Sequence, residues 1–121
     1  MMTLENEKRF LLLLSSFALG SPVTKKEVLD YLEQQKWIKL NEKDMEIKHN
    51  RNELVWRNDL AFVRKHLEQE GLFVSNKRND WSITEKGKLY LSQLYYETVL
   101  CHTFSKIQKK AISDAKYLLL K

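Results

Sequence analysis

At 121 residues the chain has material for one hydrophobic core and not for two. Hydrophobic residues at 43% and charged residues at 31% describe an ordinary globular chain, and three Gly with one Pro predict long regular elements, mostly helical. The single cysteine, Cys101, excludes an intrachain disulfide framework and fits a reducing compartment, and the apolar run Phe10–Leu14 is too short to cross a bilayer. Mixed charges precede that run, unlike a signal peptide, so the expected location is the cytoplasm, with no membrane partner. A net charge of +5 invites a nucleic-acid reading, yet residues 101–121 alone carry +4 and leave the preceding hundred close to neutral.

In chain order, Leu4, Phe10, Leu11, Leu14 and Phe17 recur at helical spacing, predicting a first helix over 3–19 that stops at Gly20-Ser21-Pro22 and buries one face. Thr24-Lys25-Lys26-Glu27 reads as a capping box opening a helix to about Gln35. Trp37–Leu40 is too short for a helix and reads as a small strand or an extended link. Asn41 caps a brief turn over 42–47, and 48–52 reads as a polar loop. The run Glu53–Glu70 is a long amphipathic helix: on a wheel of 100° per residue, Leu60, Val63 and Leu67 fall beside Trp56, and Val55 and Phe62 widen the apolar arc. Gly71 is its left-handed stop. Leu72-Phe73-Val74 and Trp81-Ser82-Ile83 read as two strands joined by the polar tip 75–80. Thr84 caps a closing helix through Leu89, Leu91, Leu94, Tyr95 and Val99, and a last amphipathic helix starts at Thr103. The expected fold class is mainly α with a small β-hairpin, a winged helix-turn-helix with an additional C-terminal helix. One domain spans 1–121: an N-terminal helix (1–20), a winged-helix core (22–95) and the last helix (103–121).

The order Trp56, Leu60, Val63, Leu67, Gly71-Leu72, a short basic tip, then Trp81-x-Ile83-Thr84-Glu85-x-Gly87 resembles the N-terminal winged-helix domain of Mrr-type restriction endonucleases, a module also fused to other modification-dependent nucleases of bacterial defence. The resemblance covers about residues 22–95. It implies a DNA-docking module that brings a nuclease domain or subunit to its target. Wings of that family usually carry Arg-Gly, where this chain reads Lys77-Arg78-Asn79, and the last helix lies outside the likeness.

For the function, Arg57, Asn58, Arg64 and Lys65 line the polar arc of the long helix around Ala61, a pattern that suits a major groove: Arg reads guanine and Asn adenine in a bidentate manner. Lys77 and Arg78 at the tip and Arg51 at the helix entrance are the expected phosphate contacts. The plain alternative is a solvated face, reinforced by Glu53, Asp59 and Glu68. Trp37, Trp56 and Trp81 read as scaffold, not stacking platforms. In the last helix, Phe104, Ile107, Ala111 and Leu118 form a stripe that either packs within the chain or pairs with its twin in a homodimer. His49, His66 and His102 have no metal-ligand spacing, Cys101-His102 point about 100° apart, and Glu46-Ile47-Lys48 lacks the sheet a nuclease core needs. The expectation is therefore no catalytic residue, no metal, no cofactor and no enzyme. Two functions compete: binding of double-stranded DNA within a restriction system or a small regulator, and protein–protein assembly through the same fold, using the Val55–Phe62 flank.

Overall fold

The computed structural model describes residues 2–75 and 79–120. Its elements are α1 (Leu4–Leu19), α2 (Lys25–Gln34), a 3-10 turn (Lys43–Met45), β1 (Ile47–Lys48), β2 (Glu53–Leu54), α3 (Val55–Gln69), α4 (Glu85–Leu100) and α5 (Lys109–Leu119). The result is a mainly helical, winged-helix-like layout. Capping chemistry sets the helix starts. Thr3 accepts from the Asn6 amide, Thr24 and Glu27 form the reciprocal capping box, and Thr84 accepts from the Gly87 amide at 3.0 Å.

Helix α1 is the axis of the molecule, packing against α2, α3, α4 and α5. Its expected single buried face is too modest: Phe10 through Leu14 are all fully buried, around the whole circumference. A helix that is apolar on every side belongs in an interior, and here four helices supply one. Trp37, Trp56 and Trp81 are buried as scaffold, and the Trp37 indole N–H donates to Asp114 at 2.8 Å.

Local differences from the sequence expectation have identifiable causes. The segment read as a loop over 48–52 is the turn of a short antiparallel hairpin, with Ile47 opposite Leu54 and Lys48 opposite Glu53. Two-residue strands with an exposed Ile47 carry no alternation to read, and Asn52 makes the turn at φ 50°. Because Glu53 and Leu54 are strand, α3 begins at Val55. The hairpin expected over 72–83 is present as a single antiparallel bridge, Phe73 with Ile83, reinforced by the Val74 amide on the Ser82 carbonyl. Leu89 and Val99 of α4 face outward, not into the core.

The largest difference is at the C-terminus, where α5 starts at Lys109 and not near Thr103. The buried Glu7 carboxylate of α1 accepts three backbone amides, from Ser105 (3.2 Å), Lys106 (2.7 Å) and Ile107 (3.2 Å). Ile107 bridges Ile38, with Lys39 N–H on Lys106 O and Gln108 N–H on Trp37 O. The segment is thus extended and held from both sides, and a helix cannot begin until it is past.

Buried and half-buried carboxylates give the fold a defined acid limit. Burial pushes the Asp44 pKa up, but the Lys106 ammonium at 2.7 Å and the Asn41 amide outweigh it and hold it below the ordinary 3.8. Lys110 lowers Asp114, helped by the Trp37 indole, and Arg9 lowers Glu70 below its ordinary 4.5. With folded values depressed, these groups stabilise the fold fully above the unfolded carboxylate range. That contribution is lost as protons bind through the lower folded values. Urea midpoints followed by Trp fluorescence should therefore be level with respect to these groups above about pH 5 and fall below pH 4. Asp114→Asn should remove part of that slope; an unchanged slope would assign it to other carboxylates.

Candidate nucleic-acid interface

Helix α3 follows the β1–β2 hairpin, with Trp56, Leu60, Val63 and Leu67 buried on its inner side. Its outer side carries Ala61, Phe62 and Lys65, of which Phe62 and Lys65 are exposed. The β1–β2 hairpin stands at its start, fixed by the Val55 amide on the Glu46 carbonyl at 2.8 Å. Together with the first turn of α2, these elements enclose an open groove lined by Lys25, Arg51, Glu53, Asn58, Ala61, Phe62 and Lys65. At about 220 Å³ it is smaller than a typical small-molecule site. It is a place on a surface for a side chain, a base edge or a phosphate.

The wing root is bolted to the helices. The Trp81 amide donates to Val23 O at 2.7 Å, and Ser16 Oγ donates to Trp81 O at 2.8 Å. Asn79, at φ 55°, accepts from the Lys25 amide at 3.2 Å, so Asn79 sits at the α2 N-terminus. The Thr84-Glu85-x-Gly87 string has a steric meaning. Thr84 Oγ1 donates to Gly71 O, and α4's first turn lies so close that a Cβ on Gly87 would stand 2.1 Å from Leu72 O.

The residues named from sequence part company in this geometry. Arg51 and Lys65 are exposed and share the groove. Arg57, expected to read bases, is tied to α2: its Nη2 donates to Asp30 at 2.9 Å and Glu33 at 3.0 Å, and its guanidinium lies over Trp56. Arg64 is likewise engaged, donating to Asp80 O at 2.9 Å, pairing with Glu68 at 3.2 Å and stacking on Trp81. Arg57 thus ties α3 to α2, and Arg64 ties it to the wing root. Asn58 is 5% exposed, too enclosed to reach a base edge as the chain stands. Lys77 and Arg78 lie outside the described residues. On the other proposed surface, Ile107 and Ala111 are fully buried by the chain itself, with Phe104 and Leu118 partly so, leaving that stripe largely unavailable to a second copy. Among the described residues no cluster of His, Cys, Asp and Glu could hold a metal, and no helix is long and apolar enough to cross a membrane.

Residues 7–93 match the family of the Mrr N-terminal domain, which is most of the chain. The chain belongs to that family. No curated protein and no solved structure matches it. The Mrr N-terminal domain is a restriction-system module, distinct from the catalytic nuclease domain with which the family name associates it. The match opens within α1 and closes within α4, so the first helix, left out of the sequence resemblance, belongs to the module. In this Mrr N-terminal domain, Lys25 and Lys26 flank the groove and were passed over in the sequence. Lysines in the first turn of a helix oppose its dipole, and that mismatch was the available signal. Lys25 pairs with Glu53 at 2.6 Å, and the largely exposed Lys26 pairs with Asp30 at 2.5 Å.

Proposed function

We propose that this domain docks on duplex DNA and so serves a restriction system as its targeting module. The observation that carries the reading is the groove on the outer side of α3, where Lys25, Arg51 and Lys65 converge around the small Ala61. A helix with a small residue at its centre approaches a major groove closely, and cations on two sides meet the two phosphate backbones. Arg57 and Arg64 support recognition from behind, by keeping α2, α3 and the wing root in one rigid arrangement. Lys77 and Arg78, which precede Asn79 in the sequence, are proposed as additional phosphate contacts.

The exposed Phe62 favours a second reading, assembly with another protein through the same face. One titration separates the two. Arg51→Ala/Lys65→Ala should weaken binding to a short duplex and shallow the log K against log salt slope by about 1.8, at 0.9 per phosphate contact. Lys109→Ala/Lys116→Ala, on the exposed side of α5, should leave both unchanged. Wild-type duplex binding with the same affinity and slope in the groove variant would remove the DNA reading for this face. Repeating the titration with modified and unmodified duplexes tests whether base modification is read.

A further inference from the structure

Helix α4 is apolar on two opposite sides. Leu91, Leu94 and Tyr95 enter the core, while Leu89, Tyr96, Val99 and Leu100 remain 72%, 57%, 53% and 81% exposed. Such a helix reads as an interior element, and a single copy of the chain covers only half of it. Leu89, Tyr96 and Leu100 fall within about 40° of one another at 100° per residue, with Ser92 and Val99 on one margin and Gln93 on the other.

We propose that this face is a homodimer interface, formed by two copies of α4 packed antiparallel about a two-fold axis between Ser92 and Gln93. Three observations select a second copy as the occupant. About that point Leu89 meets the partner's Tyr96, Leu100 reaches the partner's first turn at Glu85, and Ser92 and Gln93 straddle the axis. Its charges also match. Lys86 and Glu97 lie on the same flank of α4, and in a two-fold antiparallel pair each flank meets itself. Lys86 then comes within about two residues, ~3 Å along the axis, of the partner's Glu97. Lys86 gives one hydrogen bond to Glu70 O and has two further donors for the partner. The area is adequate as well. The four exposed side chains offer on the order of 500 Å² per copy, so a pair buries roughly 1,000 Å² before its polar rim is added, at the threshold of a specific interface. The α5 stripe offers none of these, being filled by the chain's own core. This interface does not depend on the DNA reading.

The test is the mass in solution by sedimentation equilibrium on the full chain, across a hundredfold concentration range. Twice the 14.5 kDa of one chain is expected at the upper end, and one chain's mass throughout would overturn the proposal. Leu89→Glu/Leu100→Glu should raise the dimer dissociation constant more than tenfold while circular dichroism and the unfolding midpoint stay close to wild type, both sites being exposed. A dimer unaffected by that variant would place the interface elsewhere. Lys86→Glu should weaken the dimer and Lys86→Glu/Glu97→Lys restore it. Within one helix these residues are 11 apart, so restoration reports the antiparallel contact, and its absence rejects that arrangement.

Discussion

Glu7→Ala should lower the thermal midpoint by about 10 °C or more and expose Trp37 to solvent. The substitution removes the carboxyl acceptor shared by three backbone amides and leaves those of Ser105, Lys106 and Ile107 without it. Hydrogen bonds to a charged group are worth about 1.5–3 kcal/mol each, and orphaned buried donors add their own desolvation cost, so a total of about 3 kcal/mol or more is expected. For a chain of this length each kcal/mol corresponds to roughly 3–5 °C. The consequence spreads because the pinned segment also pairs with Ile38 and orients Gln108 on Trp37 O. Calorimetry and Trp fluorescence measure both effects. Glu7→Gln keeps an acceptor and should lose clearly less. If Glu7→Ala unfolds within 2 °C of wild type, the segment is held by its apolar contacts and not by the carboxylate.

Gly87→Ala should be damaging on steric grounds alone, as the one glycine of three whose added Cβ meets backbone. The new Cβ would lie 2.1 Å from Leu72 O and 2.7 Å from Ile83 Cγ1, and the first of these is backbone that no rotamer change can move. Either α4 shifts outward or the Leu72–Val74 strand retreats, and both undo the Thr84 contacts to Gly71 O and the Gly87 amide. Overpacking of this kind costs about 1–3 kcal/mol, and a backbone clash belongs at the upper end. Urea denaturation should show a lower midpoint, with amide exchange accelerated first at Val74 and Thr84. Native-like exchange at those amides would mean that the close approach is not structurally required.

The parts of the fold legible in the sequence are those decided within a few residues. The Thr24–Glu27 box, the Trp56–Leu60–Val63–Leu67 stripe, Gly71 at φ 77° and the Thr84 cap each arise from local chemistry. The site was harder, because what a polar side chain does on a helix depends on what the rest of the chain brings to it. Arg57 and Arg64 lie at the margin of the apolar arc, and that position was the clue. From a margin a long side chain lays its stem on buried aromatic surface and reaches acids or carbonyls of a neighbouring element. Asp30 and Glu33 for one, Asp80 O for the other, are 16 to 27 residues away in sequence, so no local pattern reports them. Asn58 sits squarely on the outer arc, yet the unread β1–β2 hairpin brings Arg51 and Glu53 alongside it. Lys65 stays exposed where the wheel puts it, and Arg51, expected at the helix entrance, is exposed in the β1–β2 turn. Of the apolar stripe expected on one last helix, Ala111 and Leu118 lie on α5, whereas Phe104 and Ile107 belong to the extended segment before it. The partner of α5 is α1 and α4 of the same chain, a choice that periodicity alone does not make.

The pairing of Glu7 with residues 105–107 also bears on how the chain reaches its fold. Those contacts join positions about a hundred residues apart, and contacts of high sequence separation are late and slow to form. During synthesis, α1, α2 and α3 are finished well before Ile107 leaves the ribosome. Until then the Glu7 carboxylate has no amides to accept from, and the apolar surface later covered by α5 faces water. The restriction-family part of the chain is therefore made first and made unsealed. Its closure waits for the arrival of residues 105–107, a segment on which the family match is silent.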